Sequence, residues 1–280
     1  MKKKLIILTG PTAVGKTDLS IRLARTVGGE IISADSMQVY RRMDIGTAKI
    51  RPEEMDGVRH HLIDILEPTE SFNAFLFKEY ALKAANEIWE RGSIPIIVGG
   101  TGFYIQTLLY DIEFAKSDEN DGIREELNKL YEEHGAAFLH DMLAKVDPEY
   151  AAEVHENNVK KVIRAIEFYR QTGHKLSEHN TEQRERTSPY NFEYFVLSDD
   201  RAVLYERIDK RIDKMVEAGL IAEVQALLDE GVDRESVAMQ GLGYKEIASY
   251  LAGEISLDEA IYILKRDTRH FAKRQLTWFR

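Results

Sequence analysis

An α/β fold, built on a parallel sheet flanked by helices and interrupted by a helical insertion, is what this sequence predicts. Three observations point to it. Short apolar runs of buried-strand length alternate with longer helical patterns. One strand–helix junction carries a complete phosphate-loop motif. From about residue 116 to 186, strand-like runs stop while helical spacing continues.

The expected strands are LIIL at 5–8, EIISA at 30–34, IPIIVGG at 94–100 and YFVLS at 194–198, with HHLIDIL at 60–66 as a further candidate. Between the first two lies KTDLSIRLARTVG, in which Leu19, Leu23 and Val27 recur four residues apart, as on one face of a helix. Within the insertion, Ile123, Leu127, Leu130 and Tyr131 keep helical spacing, and Val159, Val162, Ile163 and Ile166 do so again. The domain expectation is therefore a catalytic core of residues 1–115 and 187–280 around an insertion of 116–186. After the last strand, helices follow at roughly 201–218 and 220–229, parted by Gly219, which suits a helix terminus.

Bulk properties bound the function. A chain of 280 residues with 44% hydrophobic and 31% charged residues is an ordinary globular composition. No apolar run approaches membrane-spanning length. The apolar stretch after MKKK ends after four residues with no small-residue cleavage site, which argues against a secretion signal. The absence of cysteine excludes disulfides and thiolate metal sites and suits a cytoplasmic protein. A net charge of −10 disfavours indiscriminate nucleic-acid binding. Charge is uneven, however: 116–158 is acidic, whereas KRDTRHFAKRQLTWFR at the end has six Lys or Arg against one Asp. From charge alone that tail reads as a solvated amphipathic helix.

The motif is GPTAVGKT, residues 10–17. Gly10 and Gly15 permit the tight turn that points successive amides inward, and Pro11, Thr12, Ala13 and Val14 form its span. Lys16 adds a full positive charge, the helix N-terminus a partial one, and Thr17 a hydroxyl for magnesium (Mg2+). A core like that of the P-loop NTPases is thereby expected, with a di- or triphosphate in the cradle. Hydrolases of this fold usually end an apolar strand in an Asp that helps to hold the metal. Here that strand ends in Gly99, Gly100 and Thr101, and the acid stands elsewhere, as Asp35 after the second strand. Asp35 also suits a turn or a helix cap. Cradle, carboxylate and threonine together fit displacement of pyrophosphate from carbon; a small-molecule kinase fits them as well.

GPTAVGKT, ISADSMQVY, IGTAK, HHLID, VGGTGFY, GLGYKE and AKRQLTWFR, in this order along nearly the whole chain, resemble the bacterial tRNA dimethylallyltransferase family. The resemblance implies transfer of the dimethylallyl group of dimethylallyl diphosphate to the exocyclic amine of the adenosine 3′ of the anticodon, in tRNAs reading codons that begin with U. It implies that Lys16 and the cradle stabilise the departing diphosphate, that Asp35 is the general base, and that Thr101 contacts the reaction centre. It places Asp35, Ser36, Met37, Gln38 and Thr101 at the target base, and Arg124 at the tRNA beside the active site. Lys160, Lys161 and Arg164 fall on the anticodon stem-loop, which the insertion grips. The family's Gln-Arg is Lys-Lys at 160–161, which keeps charge but leaves the side-chain hydrogen bonds there open; Val162 and Ile163 are read as packed inward.

Gln240, Gly243, Tyr244 and Lys245 match a further tRNA-contact segment, although a packed core tyrosine explains Tyr244 equally well. Arg207 and Arg211, four apart on one helix, are candidates for phosphate or for surface ion pairs. Mg2+ is the implied cofactor and a monomer the family expectation. Family members commonly continue beyond KRQLTWFR, so contacts from such a tail are not assigned. Rival readings are an adenylate isopentenyltransferase acting on free AMP, the kinase, and a non-enzymatic RNA-binding module; the insertion and the basic tail favour tRNA.

Overall fold

The computed structural model describes residues 2–114 and 122–279. Two compact units divide the chain, Met1–Leu109 with Pro189–Arg280 and Tyr110–Ser188. The domain junction expected at 115/116 and the final Arg280 lie outside the described residues.

In the first unit the order is β1 (Lys4–Thr9), α1 (Lys16–Val27), β2 (Gly29–Ser33), β3 (His60–His61), α2 (Ala74–Glu90), β4 (Ile94–Gly99) and α3 (Gly102–Leu109). The second unit holds α4 (Ile123–Val146), α5 (Pro148–Glu153), α6 (Val159–Thr172) and α7 (Leu176–Glu185). The chain then returns to the first unit with β5 (Asn191–Val196), α8 (Arg201–Glu217), α9 (Leu220–Asp229), α10 (Tyr244–Leu251) and α11 (Leu257–Trp278). All strands are parallel, in the order β3-β2-β4-β1-β5, with Ile6 opposite Ile96 and Ile31 also opposite Ile96.

Central strands are apolar because both faces are covered: Ile7, Ile32, Ile96 and Ile97 are all buried. Each such side chain contributes about 1.5–3 kcal/mol on burial. Three details differ from expectation. HHLIDIL forms a strand only at His60–His61, with a single isolated bridge from Leu66 to Tyr40 further on, because Leu62 and Asp64 take φ of +62° and +53°, which a strand cannot continue. YFVLS lies on an edge strand paired only with β1, leaving Tyr194, Phe195 and Val196 exposed. On α1 the buried line is Ser20, Ile21 and Ala24; Leu23 and Val27 pack only partly against the cluster of Ile21, Ala24, Ile31 and Ile96.

The second unit has its own core, centred on Leu127, Leu139, Leu143, Val162, Ile163 and Ile166. Gly135, with φ +83° and ψ 178°, breaks α4 in its interior. Fully buried Asp147 caps α5 through Tyr150 N–H (3.1 Å) and ties α7 by accepting from Ser177 N–H (2.9 Å) and the Ser177 hydroxyl (2.7 Å). Among the described residues no helix is long and apolar enough to cross a membrane.

Candidate active site

Four strand ends meet at one crevice. Leu197 N–H donates to Thr9 O (2.7 Å), Ala34 N–H to Val98 O (2.8 Å), and the Thr9 hydroxyl to Gly99 O (2.8 Å). The C-terminal ends of β1, β2, β4 and β5 are thereby held level, where parallel sheets take their ligands. Glycine is required at two of these crossings. A Cβ on Gly10 would stand 2.5 Å from Leu197 O, and one on Gly99 would stand 2.2 Å from Ala34 O.

Residues 10–17 turn from β1 into α1 with φ of +146° at Gly10, +64° at Ala13 and +93° at Gly15. Gly15 is the N-cap of α1 and has no side chain to satisfy the first-turn amides. Those amides and the helix dipole are the kind of donors that a bound anion uses. Lys16 Nζ folds back onto Gly10 O (2.9 Å) and Pro11 O (2.7 Å). Burial brings its pKa down to about 8; Asp35 opposes that shift and Arg211 adds to it. An ammonium so desolvated gains strongly from an anion placed beside it.

Asp35 follows β2. Its Oδ1 accepts from Met37 N–H (2.8 Å) and Gln38 N–H (3.3 Å), so the turn-capping role is real. Among the described residues no hydrogen bond reaches Oδ2. Capping fixes the carboxylate, and the second oxygen is left for a ligand. Thr101 stands beside it, its N–H directed at Ala34 O (3.4 Å) and its carbonyl starting α3 by accepting from Tyr104 N–H (3.0 Å). Behind it Tyr104 stacks on Phe77 and meets Phe72 edge-on, an aromatic wall in which burial raises the pKa of the Tyr104 phenol, with Tyr40 and Asp35 adding to the rise.

Arg211, left open by sequence reasoning, belongs to this crevice. It lies close enough to Lys16 and Asp35 for their charges to act on one another: partial burial of its guanidinium lowers its pKa and the charge of Asp35 partly restores it, while the residue as a whole is exposed. Arg207, one turn earlier on α8, is held by Asp199 (2.8 Å). The i,i+4 spacing announced a shared face but not which arginine had a partner. Thr17 is exposed on the first turn of α1. Among the described residues no group of three His, Cys, Asp or Glu could hold a metal ion alone. A hydroxyl at the edge of an anion site is the donor chemistry for magnesium shared with phosphate oxygens and water.

Other sequence candidates lie differently. Gln38 braces a loop: its amide donates to Thr47 O (3.3 Å) and accepts from the Ser33 hydroxyl (3.3 Å). Met37 packs on Gly241, where a Cβ would be 2.4 Å from its methyl, while Ser36 is partly exposed. Tyr244, expected at the tRNA, is fully buried and donates to Glu223 Oε1 (2.6 Å), leaving no ring face for a base. The same Glu223 carboxylate accepts from the amides of Asp44, Ile45 and Gly46 (2.9, 2.7 and 3.0 Å). Gly243 donates its N–H to Glu246 (2.8 Å), Lys245 lies 3.5 Å from Glu246, and exposed Gln240 donates to Arg234 O (2.9 Å). In the basic tail, Lys265 pairs with Asp213, Arg266 with Asp267 and Arg269 with Asp209.

Within the second unit, Lys160, Lys161 and Arg164 are exposed on α6, opposite the buried Val162, Ile163 and Ile166. Among the described residues none of the three has an ion pair. Arg124 differs: it pairs with the largely buried Glu167.

The family model described as IPP transferase matches residues 38–280. The chain belongs to the IPP transferase family. Its relatives include the tRNA dimethylallyltransferase of Lachnoclostridium phytofermentans, 60% identical over 99% of this chain and 88% of that protein. That of Carboxydothermus hydrogenoformans is 53% identical over 100% of this chain and 90% of its own. The solved tRNA isopentenylpyrophosphate transferase of Bacillus halodurans is 48% identical with a TM-score of 0.73, covering 99% of this chain and 87% of its own. A eukaryotic dimethylallyltransferase acting on tRNA is 33% identical with a TM-score of 0.87, covering 99% and 70%. The IPP transferase model begins at Gln38, just after the cradle and Asp35; the full-length match to the Carboxydothermus protein includes both.

Proposed function

We propose that this IPP transferase moves the dimethylallyl group of dimethylallyl diphosphate onto the exocyclic amine of the adenosine 3′-adjacent to the anticodon, releasing diphosphate. The observation that carries this reading is the pairing, in one crevice, of an open anion nest with a fixed carboxylate. Lys16 is sensitive to both Asp35 and Arg211. The names of its relatives support a prenyl donor and a tRNA acceptor.

In this reading the amides of 13–17, Lys16 and Arg211 hold the diphosphate. As the allylic carbon–oxygen bond breaks, charge grows on the leaving oxygen, and these donors stabilise it most when it is fully formed. The amine nitrogen then bonds to the allylic carbon and loses one proton. Asp35 Oδ2 accepts that proton while Oδ1 stays on its backbone donors, so the base does not have to reorient. Thr101, adjacent to Asp35, aligns the amine or the diphosphate through its hydroxyl. Thr17 would hold Mg2+, which supplies further charge neutralisation on the leaving group when bound. Carbocations are destroyed by water, and the apolar wall around Tyr104 limits its access.

The adenine must leave its stack, at a cost of about a few kcal/mol that a single-stranded loop keeps low. The unpaired cations Lys160, Lys161 and Arg164 form a face suited to the phosphates of an anticodon stem. Ser36 fits a contact to the flipped base. Gln240 and Lys245 can contact tRNA from the surface of their segment, Gly243 is buried and only shapes it, and Arg124 can do so only by releasing Glu167. The enzyme is read as a cytoplasmic monomer.

The test is nucleoside mass spectrometry after incubation with dimethylallyl diphosphate and either an anticodon stem-loop or AMP. The stem-loop should gain one prenyl group on adenosine. Prenylation of AMP alone would contradict the reading.

A further inference from the structure

Gln275 lies near the end of α11, 6% exposed, and its amide joins two parts of the crevice that are remote in sequence. Thr12 N–H, in the phosphate loop, donates to Oε1 (2.9 Å), while Nε2 donates to Gly100 O (3.0 Å), one residue before Thr101. One turn further along α11, Trp278 seats its indole against Gly102: a Cβ there would stand 2.1 Å from Nε1. A Cβ on Gly100 would stand 2.2 Å from Gln275 Nε2. The 100–102 turn is thus pressed against α11 at two points, and neither glycine has room for a side chain.

We infer that Gln275 is a positioning residue, whose planar amide sets the separation between the phosphate loop and Thr101. A primary amide offers an acceptor and a donor at a fixed spacing with no charge. Both ends meet backbone, so the distance is transmitted to main chain rather than to mobile side chains. Loop and turn flank the place where diphosphate and the reacting carbon must lie together. An error of about 1 Å there costs rate steeply. Gln275 itself touches neither reactant; it acts through Thr12 and Gly100. The inference rests on the crevice being the prenyl diphosphate site.

Two variants disturb the bridge from opposite sides. Gln275→Met keeps length and burial but removes both hydrogen bonds. Gly100→Ala keeps Gln275 but drives a methyl into Nε2, and Gly100 has no left-handed φ, so alanine suits its backbone. If Gln275→Met does not fold, Gly100→Ala carries the test.

Each variant should raise KM for dimethylallyl diphosphate about tenfold, ~1.4 kcal/mol, with KM for the stem-loop within about twofold. The double variant should be little worse than either single one, since both break the same bridge. Calorimetric affinity for inorganic diphosphate, which needs no turnover, should fall by the same factor. Lower thermal stability with unchanged diphosphate affinity and donor KM would overturn the inference, leaving Gln275 a mere packing residue. Wild-type protein that binds diphosphate but never prenylates RNA would sink the functional reading instead, and the diphosphate titration would still judge Gln275.

Discussion

The turns at 10–17 and 239–246 invite comparison because each runs through a glycine into a helix. Each helix they lead into has a glycine N-cap with positive φ, +93° at Gly15 and +96° at Gly243. Each carries an acidic residue at the third helical position, Asp18 in α1 and Glu246 in α10. At α10 the Glu246 carboxylate turns back and accepts from Gly243 N–H (2.8 Å), so the helix end already holds its anion. Asp18 is one methylene shorter and, among the described residues, makes no such bond. The end of α1 stays open. Glycine and a helix start are therefore insufficient signs of an anion site; what decides is whether the chain caps the end itself.

Chemistry on the open side should fail first. Asp35→Ala is expected to slow single-turnover prenylation by about 10²–10⁴, with tRNA affinity within about tenfold. Equal single-turnover rates for variant and wild type would remove the base role.

The next effect concerns pH. Because burial lowers the free-state pKa of Lys16 to about 8, the ammonium that an anion needs is lost above that pH. Donor affinity should be level well below pH 8 and fall by up to about tenfold per pH unit above it. Lys16→Arg, always charged, should flatten that limb. A wild-type profile flat through pH 8 would show that Lys16 does not hold the anion.

The smallest effect sharpens the comparison directly. Asp18→Glu lengthens the side chain to match Glu246 and should let it cap Gly15, weakening inorganic diphosphate by about three- to tenfold, ~1 kcal/mol. Unchanged affinity would mean that side-chain reach is not what separates the two helix ends.

What the sequence revealed divides along the same line. The cradle, Asp35 and Thr101 were legible because each follows a strand within a few residues, and local spacing fixes their place at the sheet edge. Tyr244 was not, since its burial depends on Glu223 and on the 44–46 loop, far away in the chain. Arg211 could not be told from Arg207, because the partner that distinguishes them, Asp199, lies before their helix. The strand at HHLIDIL looked longer than it is, since nothing in its composition announces positive φ at Leu62 and Asp64. Gln275 sat in a stretch read for its charge and for its family resemblance, neither of which announces an amide that bridges two backbone turns; among the described residues Lys265, Arg266 and Arg269 of that stretch are paired within the protein.

The central claim is that the open helix end holds a leaving group detached from carbon. Dimethylallyl diphosphate carrying 18O in the oxygen that bridges carbon and phosphorus tests it most directly. Turnover with an anticodon stem-loop should deliver all of the label to the released diphosphate and none to the prenylated adenosine. Label retained in dimethylallyl alcohol, or phosphate appearing on the RNA, would place the broken bond at phosphorus and contradict the account.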